Sequence, residues 1–280
     1  MAKLPAGGLI YSVILSQPDE FNLEKIAKII AAYKNVPLFD TRIMARHSLG
    51  FLGEGLSESD ARLIVSFADE EGVKTVLLED EKVAALPKPA LVTSADCGQD
   101  GFSFTAASGG PVSKIPWKDI CLFCAVCLKE ESSSLKTVKQ GRSQTQKIMS
   151  IGILMSTGIP IKIGKDKQIT QSVTEKELHF FADIFFKSAS DPVQRLHIEA
   201  ERIDFSYLGP RKLPNTAGNF NLLVRDIASR AGLAILNKGM KMLLAGQPLA
   251  AVGYDSSDDY EKECRWLLTL AESKFGTNGI

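Results

Sequence analysis

The run ICLFCAVCL, positions 120–128, is apolar without a break, and it limits what this chain can become more than any other segment. It falls far short of the roughly 18–20 residues that cross a bilayer. Isoleucine, cysteine, phenylalanine and valine outnumber the better helix formers leucine and alanine, and no capping residue precedes Pro116. The run therefore reads as a central strand buried on both faces, an environment in which free cysteine is common.

The same run sets Cys121, Cys124 and Cys127 at three-residue intervals, which opens a second reading as a metal or iron–sulfur protein. The bacterial ferredoxin pattern continues with a further cysteine and a proline; here Leu128, Lys129, Glu130 and Glu131 follow. On a strand rising roughly 3.3 Å per residue, Cys121 and Cys127 stand about 20 Å apart and Cys124 points to the opposite face, so no single ion bridges them. On a helix, Cys121 and Cys124 would be neighbours, with Cys127 one turn further on. The strand reading makes the thiols core side chains; the metal reading stands as the alternative.

The flanking text divides the chain. Positions 1–80 suggest a small α+β module: a strand at 9–16, a helix at 22–34 with Asn22 as its cap, a short helix at 40–47, a helix opening on Ser57-Glu58-Ser59-Asp60 and stopping at Gly72, and a strand at 73–78. The order is β-α-α-α-β. Residues 81–89, charged and then proline-punctuated, read as a linker. Positions 90–231 carry short β-branched and aromatic runs at 90–95, 102–106, 120–128, 148–155, 159–163, 179–186 and 193–205, with no helix long enough for crossovers between them. They predict an antiparallel barrel or sandwich, closed by an amphipathic helix at 219–231. Helices at 234–244 and 257–273 form a C-terminal extension over 232–280. Between two strands, KEESSSLKTVKQGRSQTQK (129–147) has almost no apolar content and is expected to be a mobile loop.

Composition excludes several functions. Thirty-three basic and thirty-three acidic residues cancel, which removes the footprint of a general nucleic-acid binder. No apolar stretch is long enough for a transmembrane segment, and the apolar run after Met1 reads as a strand followed by Asp19 and Glu20, not as a signal peptide. Five cysteines, an odd number in a chain too long to need disulfide staples, fit a reducing, cytoplasmic setting.

No nucleophile elbow, phosphate loop, dinucleotide fingerprint or zinc-protease helix is present, and no cofactor is expected. His197 precedes Glu199 and Glu201, which on a strand share its face; a solvated polar face explains that alternation, with a metal site as the competing reading. His47 is read as a helix-end residue. Lys136, Lys139, Arg142 and Lys147 make the 129–147 loop basic, a docking patch for an acidic partner or for lipid headgroups in peripheral membrane contact. The connection FSYLGPRKLPNTAGNF (205–220), with Tyr207, Arg211 and Lys212, is the other candidate recognition loop.

The strand series followed by a helix over 90–231 resembles the pleckstrin-homology-like fold, and IPWKDI (115–120) is similar to a motif that opens a strand in bacterial members. GEGLSESDARLIVSFADEEGVKTVLLED (53–80) resembles the C-terminal domain of the ribosomal stalk protein, a factor-docking module. Both resemblances imply partner binding without catalysis. The expectation is a non-enzymatic cytoplasmic interaction or scaffold protein that binds another protein, with the metal protein and a lipid-surface adaptor using the basic loop as alternatives.

Overall fold

Asn22 begins the first helix as its sequence suggests: its side chain accepts hydrogen bonds from the backbone N–H groups of Glu24 and Lys25 at 3.1 Å. The computed structural model describes residues 9–140, 167–188, 192–248, 253–254 and 256–276. The N-terminal elements are β1 (Tyr11–Leu15), α1 (Leu23–Lys34), α2 (Leu38–Arg46), β2 (Phe51–Leu56), α3 (Glu58–Glu70) and β3 (Thr75–Glu79). Ser57 caps α3 by accepting from the Asp60 N–H. The strands form an antiparallel sheet in the order β2-β1-β3.

The structure places β2 where the sequence pattern suggested only a connection between helices. Gly53 and Gly55 hide it, because they erase the alternation that marks a strand. A Cβ at Gly53 would press on the side-chain ends of Leu56 in β2 and Ile64 in α3, which would have to shift.

The second sheet contains β4 (Pro89–Cys97), β5 (Gly101–Ala106), β6 (Ser113–Pro116), β7 (Ile120–Gln140), β8 (Lys167–Phe186), β9 (Gln194–Glu199), β10 (Ile235–Leu236) and β11 (Gly253–Tyr254). Its order is β10-β7-β8-β9-β4-β5-β6, with β11 also on β7. Helices α4 (Thr216–Arg230), α5 (Lys238–Leu244) and α6 (Ser257–Gly276) complete the chain.

The fold class is α+β with antiparallel pairing, as expected, but the sheet is not a closed barrel. It is mixed: β4 pairs parallel to β9, and β10 and β11 pair parallel to β7. These pairings escape a strand-by-strand reading because β10 and β11 are two residues long and β4 meets β9 about a hundred positions later.

Residues 129–140, expected in a mobile loop, belong to strand β7. An extended strand needs paired main-chain groups, which a serine- and charge-rich segment can supply as well as an apolar one. Residues 141–147 and the runs at 148–155 and 159–163 lie outside the described residues. Lys129–Leu178 forms one compact unit and the remainder of the chain another.

Within the larger unit the apolar run of β7 separates two cores. Leu122, Cys124, Val126 and Leu128 join one that also holds Val13 and Leu15 of β1, Ile26 and Ile29 of α1, and Cys264, Trp266 and Leu267 of α6. Phe123, Ala125 and Cys127 join the other, with Phe102, Ile184, Ile198, Phe220 and Leu223. The strand is buried on both faces because a core lies on each side. Polar contacts tie helix α6 to the N-terminal sheet, where Trp266 Nε1 donates to the Leu15 carbonyl at 2.9 Å, and to the connection after β3, where Thr269 Oγ1 accepts from the Ala84 N–H at 3.0 Å.

Candidate functional site

Helix α2 carries its apolar residues on the wrong side for a core element. Pro37 fixes the chain into its first turn, and the helix rests on α1 through two small side chains, Thr41 and Ala45, both wholly buried. Thr41 Oγ1 donates to the carbonyls of Ala27 and Leu38, at 2.8 and 2.9 Å. The larger residues turn outward: Phe39 is 81% and Ile43 70% exposed, and Met44 and Leu38 are exposed beside them. Arg42, Arg46 and the exposed Asp40 stand on the same helix, Arg46 also lining the cavity described below; among the described residues Arg42 makes a 3.7 Å ion pair with the exposed Glu24, an interaction worth little in water. An apolar centre with a charged rim, here two arginines to one aspartate on the helix, is the composition of a docking face.

At the C-terminal end of α2 lies a cavity of about 860 Å³. Phe21, Leu49, Leu236, Trp266 and Leu267 are among its apolar residues, and Asp19, Arg46, His47, Asn237, Lys238, Lys241, Tyr254, Asp259 and Glu263 supply its polar groups. His47 Nδ1 lies 3.0 Å from the Asp259 carboxylate, and Lys241 Nζ donates to Asp19 at 2.8 Å. Asn237, 1% exposed, links the cavity to the sheet: its amide exchanges two 3.1 Å hydrogen bonds with the Ala125 backbone, its Oδ1 caps α5 by accepting from the Met240 N–H, and its Nδ2 donates to the Tyr254 hydroxyl. Tyr254 in turn donates to Glu263.

Burial pushes the Glu263 carboxyl above the ordinary glutamate value of 4.5, against hydrogen bonds from Tyr254 and Asn237 and the charge of Lys238. A raised folded value means stability that is complete below the unfolded value and declines as pH rises through the folded one. Glu263→Gln is therefore expected to be more stable than the parent at neutral pH and to flatten that decline, as read by thermal denaturation from pH 4 upward. A parent protein whose stability does not fall across that range would contradict this assignment.

A second buried polar group lies between β8, β9 and α6. Asp183 is fully buried, and the β8–β9 register sets it opposite His197, with Arg195 opposite Phe185 two places along. Its carboxylate accepts from Arg195 Nε and Nη2 at 3.0 and 2.9 Å and from the Tyr260 hydroxyl at 2.6 Å, and it lies 2.9 Å from His197 Nδ1. Burial opposes ionisation of Asp183, but hydrogen bonds from His197 and Arg195, with their charge, hold its carboxyl below the usual range. Arg195 also reaches Glu261 at 3.5 Å. His197 is thus an internal partner of Asp183, not part of a solvated face; its Nε2 lies 3.6 Å from Glu199, while Glu201 is exposed.

The residues expected to bind partners are distributed differently. Tyr207 and Arg211 converge on Asp226, Tyr207 donating at 3.1 Å and Arg211 through two bonds of 3.0 and 2.6 Å, which fastens the 205–212 connection to α4. Lys212 is exposed. Lys136 and Lys139 lie on β7 in the Lys129–Leu178 unit; Arg142 and Lys147 lie outside the described residues.

Cys121 and Cys124 belong to one core and Cys127 to the other, so the three do not share one face. Burial raises the Cys121 thiol to about 11 and pushes the Cys124 thiol well above its ordinary value, and no group of three or more potential metal ligands occurs among the described residues. No described helix is long and apolar enough to cross a membrane.

The α2 face was not found from the sequence, where its apolar residues look like core. The signal was the pairing of small Thr41 and Ala45 on the opposite side. The cavity residues are scattered from Asp19 to Leu267, and no spacing betrays them. No family model matches the chain, and no curated protein or solved structure matches it.

Proposed function

We propose that this chain is a non-enzymatic, cytoplasmic interaction protein that docks an acidic amphipathic helix of another protein on the exposed face of α2. One observation carries the reading: Phe39 and Ile43, one turn apart, are 81% and 70% exposed on a helix whose inward face is made of Thr41 and Ala45. A hydrophobic pair at i and i+4 is the anchor spacing of helix-against-helix recognition. Arg42 and Arg46 outnumber Asp40 on this helix and favour an acidic partner, since opposed charge steers encounter and fixes register. The resemblance of residues 53–80 to a factor-docking module agrees with this role, and five free cysteines suit a reducing compartment.

The test is a library of displayed amphipathic helices selected against the intact chain. Acidic helices are expected to enrich and to lose roughly thirtyfold in affinity against Phe39→Asp, the effect of removing a central aromatic anchor worth about 2 kcal/mol. The variant's own stability should stay within about 0.5 kcal/mol of the parent, because the side chain is exposed. Light scattering of the parent supplies the competing occupant. A dimer that Phe39→Asp dissociates would assign the face to a second copy and overturn the proposal, as would enrichment of basic helices or binding indifferent to the substitution.

A further inference from the structure

We propose that the cavity at the C-terminal end of α2 binds a small organic carboxylate with an apolar body, the carboxylate at Lys238 and the body against Trp266, Phe21 and Leu267. This goes beyond the docking of a partner on α2 and does not depend on it.

The volume of about 860 Å³ lies within the range of small-molecule sites, and the lining has their usual division into an apolar wall and a few convergent polar groups. The wall is fixed in advance. Trp266 is held by its bond to the Leu15 carbonyl and lies against Gly50, whose φ of +92° and missing side chain make room for the ring; a Cβ at Gly50 would overlap the indole. The polar side is fixed too, since Asn237 is bound to the β7 backbone and Tyr254 to both Asn237 and Glu263.

The sign of the ligand follows from which charges are already matched. Asp19 is paired with Lys241 and Asp259 with His47. Glu263 is hydrogen-bonded by Tyr254 within a buried setting that favours its neutral form. Lys238 makes no ion pair among the described residues and faces that carboxyl. An incoming carboxylate meets the exposed Lys238 ammonium beside a Glu263 carboxyl whose burial disfavours its charge. An incoming ammonium would meet the same lysine as a like charge.

Octanoate, octanamide and octylamine share one body and differ in charge, and calorimetry of each against the full chain tests the assignment. Octanoate is expected to bind saturably at one site, octanamide roughly tenfold more weakly, and octylamine not measurably. Lys238→Gln, at an exposed position, should remove the preference for octanoate over octanamide while leaving the melting temperature unchanged. Met242→Trp, which fills the cavity, should abolish binding of both. Should Met242→Trp fail to fold, the ligand series and Lys238→Gln still decide. Tighter binding of octylamine, no saturable binding of octanoate, or a carboxylate preference that survives Lys238→Gln would each overturn the proposal.

Discussion

Asp183→Ala is expected to lower the free energy of unfolding by about 3–5 kcal/mol, the cost of leaving a buried charge without its partner. The substitution strands Arg195, only 5% exposed, whose Nε and Nη2 both donate to Asp183. Glu261 at 3.5 Å offers no full replacement, because it is half-exposed and reaches only Nη1. The Tyr260 hydroxyl loses its acceptor at the same time. Urea denaturation measures the loss; a change below about 1 kcal/mol would mean that water already solvates this site.

The same network has an acid signature. A carboxyl held below its ordinary value of 3.8 contributes stability that is complete above the unfolded value and disappears as pH falls through the folded one. The groups around it are Arg195, His197 and Tyr260, with Glu261 beyond Arg195. Acid unfolding of the parent should therefore show a component below pH 4 that Asp183→Asn lacks.

Cys124→Asp is the other severe substitution. Cys124 is 0% exposed in the strand between the two cores and neighbours Cys264. A carboxylate there has no cationic partner and either loses several kcal/mol or takes up a proton. Cys124→Ala removes only a sulfur from a small site and should fold, at a cost of about 1 kcal/mol. Thiol labelling separates these states: in the native parent, Cys124 should react only on unfolding. Labelling of Cys121, Cys124 and Cys127 at the rate of a free peptide would show the strand to be exposed.

What was legible in the sequence was local. The run at 120–128 is apolar at every position because Leu122, Cys124 and Val126 face one core and Phe123, Ala125 and Cys127 the other, and that demand is written in consecutive residues. Asn22 and Ser57 mark helix starts through side chains that reach two or three positions ahead. Asp183, a lone carboxylate within FFADIFF, went unread, and it is the β8–β9 register that brings Arg195 and His197 to it.

Pairing over long separations left no local trace. Strands β10 and β11 are too short to show alternation, and the glycines of β2 conceal it. Polar residues at 129–140 looked unstructured because apolar content was taken as the requirement for order, whereas a strand is satisfied through its main chain. For α2, the sequence displays apolar residues but not which side of the helix meets α1; Thr41 and Ala45 settle that only once α1 is beside them.

A photoreactive benzophenone side chain at position 43 of the full chain, activated in extract of the cells that make it, tests the docking role of α2. The expected product is one heterologous adduct whose cross-linked peptide lies in an acidic amphipathic helix, and which Phe39→Asp eliminates. The same probe at exposed Glu70 on α3 should not form it. An adduct of two copies of this chain, an adduct that forms equally from position 70, or one that persists in Phe39→Asp would contradict the assignment of α2 as the partner-binding face.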